Sequence, residues 1–179
     1  VNSLTDALVE DNSIYIGNDP SSTTNSAEYN VAVGVTALDA ITSGDANVAV
    51  GYSALSANTG GHYNNAIGNR SLKSNQGGDY NTAMGNSSLR DNVSGNNNTA
   101  FGQASLQNNT ASNNVAFGHN SAIANTSGTR NIAIGYKAYN AADTEDDNLA
   151  IGYDALGGAI AGGEYNVAVG NYSLDANTS

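Results

Sequence analysis

One glycine returns ten times along this 179-residue chain, at Gly17, Gly34, Gly51, Gly68, Gly85, Gly102, Gly118, Gly135, Gly152 and Gly170. The interval is 17 residues throughout, except for one of 16 before Gly118 and one of 18 before Gly170. Nine of these glycines close the same phrase, Asn-x-Ala-apolar-Gly, as in Asn30-Val31-Ala32-Val33-Gly34 and Asn131-Ile132-Ala133-Ile134-Gly135. A unit this short cannot bury an apolar face alone, so successive units have to stack into a continuous core. A chain of one coil copied many times builds length and surface rather than one enclosed pocket. The expectation is a non-enzymatic protein.

Numbering each repeat from its Asn shows what the fold demands at each place. Place 1 is Asn30, Asn47, Asn64, Asn81, Asn98, Asn114, Asn131, Asn148 and Asn166, and place 3 is Ala in the same nine copies. Place 4 is always large and apolar, from Val33 and Val50 through Met84 and Phe101 to Val169. Place 8 is Ala or Ser, and place 9 is Leu in seven copies, with Ala122 and Tyr139 as substitutes. Place 12 is often Asn and place 15 often Gly. Places 2 to 4 are short, alternating and often β-branched, which predicts a strand. The glycine at place 5 supplies a turn at positive φ. A second short strand is expected around places 8 and 9, with a surface loop over places 10 to 17. Alternation puts places 2 and 4 on one face and the alanine on the other. Places 4 and 9 are taken as the core, and the alanine column as a second, close-packed surface. The Asn and Gly columns read as structural, the stacked Asn side chains bonding up a ladder. The predicted fold is all-β: a parallel β-solenoid, or β-roll, of about ten 17-residue coils. Residues 1–12 form a lead-in and 13–179 the repeat domain, expected to be a piece of a longer fibre. At a coil spacing of about 4.8 Å the rod is about 48 Å long.

Each coil offers few large apolar side chains, worth about 1.5–3 kcal/mol each on burial, against a backbone ordering cost of roughly 1–2 kcal/mol per residue. A lone thin coil is under-supplied. A homotrimer about a common axis supplies the missing surface. The formal net charge is −11, from 16 acidic and 5 basic residues, which disfavours nucleic acid and anionic membranes as partners. No apolar run is long enough to span a bilayer. The chain holds no cysteine, so thiolate and disulfide chemistry are excluded.

The phrases Asn47-Val48-Ala49-Val50-Gly51-Tyr52-Ser53-Ala54-Leu55 and Asn148-Leu149-Ala150-Ile151-Gly152-Tyr153-Asp154-Ala155-Leu156 resemble the head repeats of trimeric autotransporter adhesins. They look still more like the repeat regions of phage tail fibres. Leu4 to Gly17 resembles the lead-in that such fibres place before their first repeat, so the likeness covers nearly the whole chain. It implies a left-handed parallel β-roll, three chains about one axis, and a structural or adhesive role in host or surface attachment on a virion or cell surface. The implied partners are the chain itself and a cell-surface glycan or protein. Autotransporter heads run nearer 14 residues per coil, and this chain departs from them at 17.

Sites for chemistry are sparse. His62 and His119 fall at places 16 and 6, some three coils apart, and are not expected to converge. No Gly-x-Ser-x-Gly elbow, phosphate loop or calcium-binding nonapeptide occurs. The one dense acidic run, Asp143-Thr144-Glu145-Asp146-Asp147, carries the only cofactor candidate: Asp143, Glu145, Asp146 and Asp147 could offer oxygens to Ca²⁺. Tyrosines recur at place 6 and at the last place of the coil, where they could stack on sugars or cover the core edge. Triplets such as Asn69-Arg70-Ser71 arise by chance in so Asn-rich a chain. A self-assembling extracellular filament is one alternative function. Another is an ice-binding solenoid, suggested by Thr42, Thr59, Thr110, Thr126 and Thr178 at place 13. A depolymerase would need a recurring carboxylate pair, which the chain lacks.

Overall fold

The computed structural model describes residues 7–17, 20, 24–158 and 162–176. The elements are β1 (Ala7–Glu10), β2 (Ser13–Ile16), β3 (Val31–Val33), β4 (Val48–Val50), β5 (Asn65–Ile67), β6 (Thr82–Met84), β7 (Thr99–Phe101), β8 (Val115–Phe117), β9 (Ile132–Ile134), β10 (Leu149–Ile151) and β11 (Val167–Val169). They form one sheet in chain order. From β2 onward every pairing is parallel, and each residue sits over its counterpart one repeat away: Val33 over Val50, Val50 over Ile67, Ala83 over Ala100. The chain is therefore a parallel β-solenoid of stacked coils, one three-residue strand per coil. β1 folds back antiparallel on β2 through Asp11 and Asn12, both at positive φ (44° and 58°), as a two-residue hairpin turn requires.

The register follows the sequence, but the facing is inverted. The alanines of place 3 are fully buried, while the large residues of places 2 and 4 point outward: Val33 and Ile67 are 38% exposed and Phe101 43%. The expectation that Val33, Val50 and Ile67 form the core is thus overturned. Leu at place 9 behaves as expected in six of its seven copies, with Leu38, Leu55, Leu72, Leu89, Leu106 and Leu156 fully buried, whereas Leu174 is 44% exposed because no described coil lies beyond it to cover it. The reason is the width of the coil. A three-residue strand followed at once by a turn brings the Leu directly beneath the sheet, and only a methyl group fits between them. In β2 the alanine place is taken by Tyr15, fully buried in the first coil of the stack.

No second strand forms at places 8 and 9. Instead places 7, 9 and 17 adopt left-handed backbone in coil after coil, as at Ser53, Leu55 and Tyr63 (φ 55°, 50° and 57°). Each such residue costs roughly 1–2 kcal/mol of backbone strain. The compensation is directional. Alternating left-handed and ordinary conformations aim successive amides along the rod axis, so Ser53 N donates back to Val35 O (3.0 Å) and Leu55 N donates forward to Ser71 O (3.1 Å). Turns as well as strands are thereby hydrogen-bonded to the coils on either side. Places 10 to 17 are only partly a surface loop, because the Asn at place 12 and the Gly at place 15 are buried.

The place 5 glycine is fixed by two constraints. At Gly85 φ is +140°, and a Cβ would lie 2.6 Å from the Gly102 carbonyl carbon in the next coil. We therefore expect Gly85→Ala to lower the unfolding free energy by about 3 kcal/mol or more. Ala83→Leu, which overfills the closed interior, should cost about as much. Thr110→Val removes one hydroxyl bond to Thr126 O (2.8 Å) and should cost about 1 kcal/mol. Denaturant and thermal melts of the three variants check the ranking; equal midpoints would refute it.

Candidate functional site

Two columns of buried asparagines run through the coils and hold the surface features in place. At place 1 the regular coils repeat one set of three bonds. Asn47 donates its backbone N and its Nδ2 to Asn30 Oδ1 (2.9 and 3.1 Å) and its Nδ2 also to Gly61 O (2.9 Å). Asn64 and Asn81 repeat the set one coil later. The column starts on Ser13, whose Oγ accepts from Asn30 N (2.9 Å). At place 12, Asn75 donates to Asn58 Oδ1 (2.9 Å) and to Gly78 O (3.0 Å), and Asn92 repeats the pattern. Both columns thus close on the carbonyl at place 15. In the regular coils these asparagines are bonded on both sides, which is what makes a polar interior tolerable in so thin a coil; the oxygens of Asn92 and Asn125, next to the two irregular coils, have no partner.

The irregular coils show which atoms matter. In the 16-residue coil the acceptor carbonyl at place 15 is that of Ala111, so the missing residue lies just before it. There the columns cross: Asn114 Nδ2 bonds to Asn109 Oδ1 (3.1 Å), and Asn92 Oδ1 is left without a partner. In the coil from Asn131, Tyr139 replaces Leu, Ala142 replaces the place 12 Asn, and Glu145 replaces the place 15 Gly. The Tyr139 hydroxyl donates to Glu145 O (2.9 Å) and accepts from Asn148 Nδ2 (3.1 Å), taking over the absent amide's bond to the place 15 carbonyl, while Asn125 Oδ1, which that amide would have met, is left without a partner. Burial raises its phenol pKa well above the usual range, and the bond from Asn148 opposes that rise only in part.

The acidic run does not gather. Glu145 is buried, and its carboxylate accepts from the backbone N of Asp143 (3.2 Å), Thr144 (3.1 Å) and Gly162 (3.1 Å). Asp147 takes a two-pronged ion pair from Arg130 (2.6 and 2.8 Å), and Asp146 accepts from Thr129 N (2.6 Å). Among the described residues no three His, Asp or Glu side chains are placed to hold a metal ion. His62 and His119 do not meet. His62 Nδ1 accepts from Asp45 N (3.0 Å), and the His119 ring stacks on Tyr136 (5.4 Å between centroids). The described place 13 threonines stay at the surface and donate along the rod to a carbonyl of the next coil, as where Thr42 Oγ1 donates to Thr59 O (2.8 Å); Thr178 lies outside the described residues.

The candidate functional surface is the outward face of the sheet. Places 2 and 4 form two columns from Ile14 and Ile16 to Val167 and Val169, and none of their residues is charged. Place 4 is apolar in every coil. Within it Phe101 stacks on Phe117 at 5.3 Å. Beside it, place 6 carries His119, Tyr136 and Tyr153 in one stack (5.4 and 5.2 Å), with Lys137 Nζ 5.6 Å from the Tyr136 ring centre. At the last place of the coil Tyr63 stacks on Tyr80 at 5.0 Å. Because these rings cover one another's faces, sugar stacking is restricted to their edges and to the ends of each stack. This outward face was read from the sequence as the core, so the residues were found but their exposure was missed. The width of the coil could have signalled it, since an all-alanine column fits the narrower side. Compared with family models, curated proteins and solved structures, the chain matches none.

Two predictions follow from the coil at Asn131. Tyr139→Leu, Ala142→Asn and Glu145→Gly each break the local fit, and Tyr139→Leu alone should cost about 2–4 kcal/mol. Together they recreate the pattern of neighbouring coils. The triple variant should exceed the sum of the single losses by about 2 kcal/mol of recovered stability, measured by urea unfolding. The second concerns acid. Burial works against the Glu145 carboxylate, but the surrounding amides outweigh it and hold the carboxyl below its ordinary value of 4.5. The unfolded chain therefore binds a proton first as pH falls. The contribution is full above about pH 4.5 and is lost below it. Stability measured from pH 6 to 3 should fall less steeply in Glu145→Gln, and an unchanged slope would refute this role.

Proposed function

We propose that the chain is a structural and adhesive segment of a trimeric extracellular fibre, with three copies packed about a common axis through their outward strand faces. The observation that carries this reading is the unbroken, uncharged apolar strip along the rod. Its side chains, apolar except for Asn65, Thr82 and Thr99, are all half-buried to exposed and present on the order of 1,000 Å² of surface per chain, comparable with what each partner buries in a stable complex. Patches of that size mark interaction sites. A partner for a strip repeating at every coil must offer features at the same axial interval, and this chain is itself such a partner. With the acidic residues off the strip, copies can approach without stacking carboxylates on one another despite a charge of −11 each. The exposed turn positions, where side chains vary from coil to coil, are left free to touch a glycan or protein receptor on a host or surface. The resemblance to tail-fibre and adhesin repeats points the same way.

Light scattering on the purified protein tests the assembly. The expected mass is about 54 kDa, three times the 18.1 kDa chain, and 18 kDa would refute the trimer. Ile67→Lys with Ile134→Lys, both on the strip, should release monomers while retaining β-structure. A trimer unaffected by both charges would place the interface elsewhere.

A further inference from the structure

A strip that repeats at every coil has a defect as an interface: copies slid by one coil present nearly the same apolar surface again. Sliding leaves only one coil in about ten uncovered, so overlap alone discriminates weakly. The chain breaks its own regularity in one block. Place 2 is aliphatic in β2 to β4 and in β8 to β11 but is Asn65, Thr82 and Thr99 in β5, β6 and β7. All three are on the outward face. In the same three coils place 6 is also polar, with Asn69, Asn86 and Gln103. Place 4 there remains large and apolar, so the block alters the strip without interrupting it.

We infer that this polar block, centred on Asn65, Thr82 and Thr99, sets the axial register of the self-assembled fibre segment. The inference rests on the trimeric reading above. In register, the three polar layers of each copy meet those of the others, and amide and hydroxyl groups satisfy one another. Slid by one coil, Asn65 of one copy faces Val48 of the next, and Val115 of the first faces Thr99 of that neighbour. A polar group at each end of the block is then buried against a methyl surface with no partner, the kind of mismatch that discriminates strongly between otherwise similar contacts. A polar side chain at one layer of an otherwise apolar seam fixes alignment in helical assemblies by the same means.

The test uses chains whose block is displaced by one coil, built only from residue types that place 2 already carries. One variant is Val48→Asn with Thr99→Val, and the other is Asn65→Val with Val115→Thr. Each is refolded together with the parent, and register is read from disulfides formed with diamide between one introduced cysteine per copy, since the chain has none of its own. With Ile67→Cys in the parent, the first variant should cross-link through Val50→Cys at least roughly threefold better than through Ile67→Cys, and the second through Met84→Cys, because each slides by one coil to align its block. Parent with parent should cross-link best between two copies of Ile67→Cys. Displaced variants that also cross-link best through Ile67→Cys overturn the inference and leave the trimer standing. Monomers in every sample overturn both. If one variant fails to assemble with itself, the oppositely displaced one decides.

Discussion

Hydrogen bonds that run parallel to the rod axis are the constraint on which everything else in this structure rests. In an ordinary sheet only the strands pair. Here the strands are three residues long, and the remaining fourteen of each period must also find partners in the coils above and below. They do so by alternating left-handed and ordinary backbone, which turns amides up and down the axis, as at Ser53 and Leu55. The strain at three non-glycine positions per coil is the cost of that arrangement. It also explains the glycine of place 5, which from Gly34 to Gly152 combines a φ of +131° to +140° with a carbonyl from the next coil where a Cβ would stand.

From that constraint the composition of the interior follows. Coils bonded to each other throughout are flat and narrow, and the space inside admits the place 3 methyl, the small Ala or Ser of place 8, one leucine and two asparagine amides per regular period. Much of what lies inside is therefore polar, and it is satisfied within its own columns. An interior this lean buries little apolar surface per residue. The larger apolar side chains are left on the outside of the sheet, where another molecule can cover them. In the proposed trimer, folding and association are coupled by geometry: the side chains that cannot fit inside are those that the other copies would cover.

The repeat length, the strand, the register and the leucine core were legible in the sequence, because each depends on a period or on a residue type with one physical use. The Asn ladder at place 1 was legible too. The facing of the strand was not. Alternation shows that Ala32 and Val33 point opposite ways, but only the coil width decides which way is in, and the usual habit of placing the larger group inside fails here. Leu55 in left-handed backbone was invisible for a related reason. Leucine has no intrinsic preference for that conformation and adopts it because the axial bonds require it. The buried column at place 12 was hidden among the surface asparagines of the same stretch, which share its composition but not its spacing to the place 15 carbonyl. The acidic run looked like a ligand set because sequence shows proximity but not partners. In the fold, Arg130 and three backbone amides have already engaged it.

Departures from the repeat are informative because the architecture passes each one only to its nearest neighbours. Replacing Leu by Tyr139 is met by Ala142 in the same coil and by Asn148 in the next, and the asparagine column resumes at Asn166. The lost residue before Ala111 diverts one amide and orphans one oxygen, and the strands on either side remain in register. Such damage stays local because no coil touches any other than its neighbours. The polar block of β5 to β7 differs in kind. It spans three coils without disturbing the interior of any of them, and changes only what the outer face offers. Variation that the interior does not require, concentrated on one face and in consecutive coils, is what recognition along the rod would select and what coil stability alone would not.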